Sequence, residues 1–155
     1  MGEAVLERLK QKGFRSPQME AAVNLLVAAD AIRRQISEIC RTADLTDSQY
    51  NVLRILRGQP EGHPRCEIAG RMIDAAPDVT RLVDRLEKRG LVERLRCKED
   101  RRLSLTRITD AGREVLRELD PAIESMWASL ADRLTDEDSA ALSALCEKVY
   151  APEIE

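Results

Sequence analysis

The stretch from Pro77 to Arg107 constrains this chain more than any other. It opens with Pro77-Asp78-Val79-Thr80-Arg81-Leu82-Val83-Asp84-Arg85-Leu86-Glu87-Lys88-Arg89, in which Val79, Leu82, Val83 and Leu86 recur at i, i+3, i+4 and i+7. That spacing lines one side of an α-helix with apolar side chains. Thr80, Arg81, Asp84, Arg85 and Lys88 fall on the other side. Gly90 predicts the stop, because glycine takes the left-handed position after a helix at little cost. Two short β-like runs follow, Leu91 to Arg96 and Leu103 to Thr109, around the hydrophilic tip Cys97-Lys98-Glu99-Asp100-Arg101-Arg102. A helix of this kind fits a DNA major groove, and a basic hairpin tip can reach the flanking backbone or minor groove. The competing reading makes Arg81, Arg85 and Lys88 a solvated face paired with Asp84 at helical spacing, and the tip an ordinary polar turn. Asp78 can stabilise the helix start or accept from a cytosine amino group.

Charge separates these readings better than any one residue does. The chain as a whole is slightly acidic, at −3 over 155 residues. Residues 65–107 nevertheless hold 12 Lys and Arg against 8 Asp and Glu, a net +4, which leaves −7 on the rest. A basic segment in an acidic frame suits a protein that binds DNA at one surface and stays soluble elsewhere. Aromatic residues are scarce, at 3%, so the core must be built from Leu, Ile, Val and Ala. Their abundance beside Glu and Arg favours helices. The expected class is mainly α with a small β-hairpin wing, a winged helix-turn-helix flanked by helices.

Helix signals punctuate the remainder. Residues 2–12 have helical spacing at Val5, Leu6 and Leu9, ended by Gly13. Ser16-Pro17 caps and starts a long helix running to about Thr42. Thr46 and Gln49 form a capping box for the next. Gly58 to Pro64 reads as a loop, and Cys66 to Ile73 as a short helix with Ile68, Ala69, Met72 and Ile73 inward. Thr109 caps a helix to about Leu134, with a kink expected near Leu119 because Pro121 falls inside it. Thr135-Asp136-Glu137-Asp138 opens the last one, whose apolar side is Ala141, Leu142, Leu145 and Val149.

Three blocks, Val79 to Val92, Glu99-Asp100-Arg101-Arg102 and Ile108-Thr109-Asp110-Ala111-Gly112, together with the opening Leu45-Thr46-Asp47-Ser48-Gln49-Tyr50, resemble the MarR family of bacterial transcriptional regulators. The likeness extends from about residue 16 to 150, and the Asp-x-Arg tip at this spacing is its most specific part. The resemblance implies one domain, residues 1–155, working as an obligate homodimer. Residues 1–44 and 109–155 would supply the dimerisation helices, and residues 45–108 the DNA-binding winged helix. It implies DNA contacts from Thr80, Arg81, Arg85 and Lys88 on the groove helix, and from Lys98, Arg101 and Arg102 on the wing. Arg102 would enter the minor groove and Asp100 would hold it in place. The implied function is a sequence-specific, ligand-responsive repressor on a pseudo-palindromic double-stranded DNA operator, induced by a small aromatic or amphipathic effector.

The remaining chemistry is sparse. Cys40, Cys66, Cys97 and Cys146 show no compact metal spacing. His63 and Cys66 form a His-x-x-Cys pair that Cys97 could join around zinc, against the plainer reading of a loop histidine and unrelated thiols; neither a metal nor a cofactor is expected. Cys40 or Cys97 could serve as redox thiols in an oxidative-stress sensor of the same fold, Cys97 lying between Arg96 and Lys98. A winged helix used only for protein contacts is a further alternative. No nucleophile–base pair or phosphate loop is present, so no enzyme is expected. Trp127 reads as core or dimer interface. The longest uncharged apolar run, Ala21 to Ala29, is far short of a membrane span, and no secretory signal is evident, so the expected location is the cytoplasm.

Overall fold

The structure is a computed structural model that describes residues 2–74, 78–96 and 104–151. Its elements in chain order are α1 (Glu3–Leu9), α2 (Pro17–Arg41), α3 (Asp47–Arg57), β1 (His63–Pro64), α4 (Arg65–Gly70), α5 (Val79–Lys88), β2 (Val92–Arg96), β3 (Ser104–Ile108), α6 (Asp110–Ala131) and α7 (Asp136–Tyr150).

Side-chain caps set most helix starts. The Ser16 hydroxyl accepts from the Met19 N–H at the start of α2, and Pro17 takes the first helical position, where no N–H is needed. At α3 the box is reciprocal. The Gln49 N–H donates to the Thr46 hydroxyl at 3.2 Å, and the Thr46 N–H donates to Gln49 Oε1 at 3.0 Å. Thr135 and Asp138 repeat it at α7. Helix α1 ends earlier than Gly13 would suggest, because Lys10 itself adopts the left-handed conformation at φ 52.

The core of residues up to Leu119 is built where α3, α4, α5, the strands and early α6 meet. Val52, Leu53, Leu56, Ile68, Leu86, Val92 and Leu116 are fully covered. Helix α5 contributes Val79, Val83 and Leu86 of the expected apolar stripe, while its fourth member Leu82 is only half-buried; each full burial stabilises by roughly 1.5–3 kcal/mol. After Arg89, Gly90 turns the chain at φ 70, and the Leu91 N–H donates back to the Leu86 carbonyl at 3.0 Å. That closure drops the chain directly into β2.

The described strands form an antiparallel sheet in the order β1-β3-β2. Strands β2 and β3 are the expected hairpin, with Val92 opposite Ile108 and Arg96 opposite Ser104. Strand β1 corrects the reading of Gly58 to Pro64 as loop throughout. His63 pairs with Thr106 and Pro64 with Leu105. His63 is therefore a buried strand residue rather than a loop histidine. Proline is tolerated there because β1 is an edge strand.

From β3 the chain enters α6. The Thr109 hydroxyl accepts from the Gly112 N–H and donates to the Gly90 carbonyl, while the Thr109 N–H donates to the Leu91 carbonyl. One residue thus starts α6 and ties it to the end of α5. Helix α6 runs unbroken through Pro121, and the chain divides into two compact units between Leu119 and Asp120, next to that proline. In the second unit α7 buries no residue: Leu142, Leu145, Val149 and Tyr150 are all exposed. Among the described residues no helix is long and apolar enough to cross a membrane.

Candidate nucleic-acid interface

Helix α5 starts at Val79, two residues later than Pro77, because Asp78 is its cap. The Asp78 carboxylate accepts from the Arg81 N–H at 3.1 Å. This settles the helix-start role for Asp78. The same carboxylate lies 3.1 Å from the Arg81 guanidinium, so this exposed side chain rests on its own helix cap.

With Val79, Val83 and Leu86 facing inward, Thr80, Arg81, Arg85 and Lys88 are all exposed. Arg81, Arg85 and Lys88 stand at i, i+4 and i+7 on one outer face. From Thr80 to Lys88 the helix advances about 12 Å, the width of a DNA major groove.

The acids of this helix do not neutralise that face. Arg94 of β2 hydrogen-bonds the Asp84 carboxylate and lies 3.0 Å from Glu87. Asp84 was one expected partner for the helix cations, and the wing strand claims it instead. Arg85 and Lys88 have no ion-pair partner among the described residues. The result is a segregation of charge: acids turned to the wing, cations left outward.

Beside the N-terminal half of α5 lies a cleft of about 720 Å³. Arg65 and Cys66 of α4, Asp78 and Thr80, Arg94 of β2 and Ser104 of β3 are among its walls. Arg65 donates to the Thr80 hydroxyl at 3.1 Å, bracing α4 against the groove helix. Sequence reasoning missed Arg65 and Arg94 as parts of this surface. Arg65 directly follows Pro64 at the start of a helix, which is a visible signal. Nothing in spacing reveals that Arg94 will take two acids from another element.

The wing residues Lys98, Asp100, Arg101 and Arg102, with Cys97, lie outside the described residues. The strands leading to them are held by Arg107, whose Nε and Nη2 both donate to Glu93 Oε1, at 3.0 and 2.7 Å.

The other candidate chemistry is placed differently. Cys40 is completely buried. Desolvation, with a smaller contribution from the Asp47 carboxylate, pushes its thiol up to about 11. A thiol held neutral in this way is a poor nucleophile at neutral pH, which argues against oxidative sensing at Cys40. Among the described residues no group of three His, Cys, Asp or Glu side chains could hold a metal ion.

A cation-faced helix of groove-spanning length, braced by a preceding short helix and followed by two antiparallel strands that pair with β1, defines a winged helix-turn-helix DNA-binding protein. The sequence pattern of the MarR family matches residues 45–104. The HTH-type regulator YpoP of Bacillus subtilis is 31% identical over 118 residues, covering 76% of this chain and 82% of its own. A MarR transcription factor from Planctomyces limnophilus is 37% identical, with a TM-score of 0.65 over 87% of this chain and 98% of that one. BpsR of Bordetella bronchiseptica, whose DNA binding is regulated by 6-hydroxynicotinic acid, is 25% identical with a TM-score of 0.70, covering 84% of this chain and 98% of that one. The chain belongs to the MarR family of transcriptional regulators.

Proposed function

We propose that this regulator is a ligand-responsive repressor that binds a pseudo-palindromic operator as a homodimer. Thr80, Arg81, Arg85 and Lys88 read the major groove. Lys98, Arg101 and Arg102 contact the flank, with Asp100 orienting Arg102. The observation that carries this reading is the withdrawal of Asp84 and Glu87 by Arg94. It leaves the outer face of α5 cationic where phosphates and guanine edges would lie.

Support for the dimer comes from unpartnered apolar side chains at both chain ends: Met19 and Leu26 on α2, and Leu142, Leu145, Val149 and Tyr150 on α7. Large exposed apolar patches on a small protein mark association surfaces. The dimerisation segments would be residues 1–44 and 109–155, around the DNA-binding residues 45–108. The effector would be a small aromatic or amphipathic molecule, by analogy with BpsR. The protein would act in the cytoplasm and carry no catalytic function.

Footprinting upstream of the protein's own gene, with and without a panel of aromatic acids, tests this reading. The expected result is a protected inverted repeat with half-site centres about 10 bp apart, released by at least one compound. Protection that no compound relieves would make the protein a constitutive binder and refute the ligand-responsive part.

A further inference from the structure

The groove helix is tied to the turn after α2 at its C-terminal end, and Asp74, four residues before its cap, is tied to α2. At its C-terminal end, Arg89 extends from the last turn of α5 to the turn that follows α2. Its Nη1 donates to the Asp44 carbonyl at 2.6 Å and its Nη2 to the Ala43 carbonyl at 3.0 Å. These carbonyls lie just past the end of α2, where helix carbonyls lack internal partners and the helix dipole is negative. Asp44 is held at φ 54. The two oxygens are thus presented to one planar fork, a geometry that a guanidinium matches better than an ammonium. Ahead of α5, Asp74 pairs with Arg33 of α2 at 3.0 Å. The Ile73 N–H, one residue earlier, donates to the Asn51 side chain of α3 at 3.2 Å.

These ties have a mechanical consequence. If α5 swings about its N-terminal end, it must break the Arg89 tie. Leu86 and Val83 anchor the helix in depth, but apolar contacts are not directional and do not fix its angle against α2. Hydrogen bonds from a forked cation to two fixed carbonyls do fix it.

We propose that Arg89 is a positioning residue for operator reading. It sets the angle of α5 against α2, with Arg33–Asp74 as the second tie, and so sets how strictly the protein discriminates operator spacing. This rests on the dimeric-operator reading above. In a twofold dimer each groove helix must meet its half-site at a fixed separation and azimuth. One inserted base pair rotates the second half-site by about 35° and moves it by about 3.4 Å. A helix held by Arg89 resists that change, and a helix released there follows it.

The test uses the full-length protein and an operator selected from random DNA. Duplexes carry its two half-sites at the natural spacing, one base pair closer and one base pair farther, alongside a single half-site. For Arg89→Gln, the ratio of affinities between natural and altered spacing is expected to fall by roughly three- to ten-fold, with the single half-site bound as before. Arg89→Lys restores part of the ratio, because an ammonium keeps the charge and donors without the rigid fork. Arg33→Gln shifts it the same way by less, since an exposed ion pair is worth little, and it serves as the second probe if Arg89→Gln does not fold. A spacing-sensitive wild type whose Arg89→Gln ratios stay within about twofold of it overturns the role of Arg89. So does an equal loss on every duplex that tracks a lower melting temperature. A wild type indifferent to spacing overturns the dimeric-operator reading itself.

Discussion

Replacing Gly112 by alanine should damage the joint between the groove helix and α6. A Cβ built there lies 2.2 Å from the Leu91 carbonyl oxygen and 2.8 Å from Ile108 Cγ1. A carbon–oxygen contact needs about 3.3 Å, so the chain must open by roughly 1 Å. The obstructing atom is backbone, and the same carbonyl accepts from Thr109, so it cannot move without disturbing the start of α6. Overpacking of this kind costs about 1–3 kcal/mol, and weakening the Thr109 bond adds about 1 kcal/mol. The intrinsic helix gain of alanine over glycine offsets about 0.5–1 kcal/mol. The net expectation is a loss of roughly 1–3.5 kcal/mol. Gly70→Ala is the control. It ends α4 with no atom within 4 Å of the added Cβ, so it should be neutral or stabilising by up to about 1 kcal/mol. Urea unfolding at one fixed protein concentration reads both, since association contributes to apparent stability. Equal midpoints for Gly112→Ala and wild type would refute the close approach of α6 to Leu91.

Thr46→Ala removes half of a reciprocal cap and leaves the buried Gln49 short of one partner; a loss of about 1–2 kcal/mol in the same unfolding assay is expected. The Cys40 thiol, ordinarily near 9.0, is raised to about 11 in the folded protein. Its contribution to stability is therefore complete below pH 9 and drains away as pH rises through about 11. Cys40→Ala should flatten that alkaline decline, whatever it costs at neutral pH. Exposed Cys66 should react with a thiol reagent at pH 8 well before Cys40 does, which peptide mapping of the labelled protein would show. Arg94→Ala releases Asp84 and Glu87 beside the groove face and should weaken all DNA about three- to ten-fold at low salt, less at high salt; unchanged affinity in a salt series would sink the charge-segregation argument.

Much of this fold was legible because the signals are local. Ser16-Pro17, Thr46 with Gln49 and the acidic turn after Thr135 announce helix starts, since caps act within one turn. The Val79, Val83 and Leu86 stripe and the Gly90 stop were readable for the same reason. What escaped is what depends on distant partners. Two residues, His63 and Pro64, cannot show a strand period, and their partners Thr106 and Leu105 lie far along the chain. Thr106 is buried in the central strand, between its pairing partners His63 of β1 and Arg94 of β2. The groove helix was recognisable as cationic, but not that Arg94 would remove its acids or that Arg89 would clasp the end of α2. The shift of its start from Pro77 to Val79 follows from Asp78 acting as cap, which the sequence offered only as one of two roles.

On the proposed function, the outer face of α5 reads DNA sequence. Fluorescence anisotropy with the selected operator and a scrambled duplex, between 50 and 200 mM salt, tests it most directly when wild type is compared with Arg81→Ala. Wild type should prefer the operator by about 10³ or more. Arg81→Ala should lose about 1–3 kcal/mol per half-site on the operator while changing the scrambled duplex far less. Equal binding of both duplexes by wild type, or an Arg81→Ala protein that keeps its full preference, would contradict it.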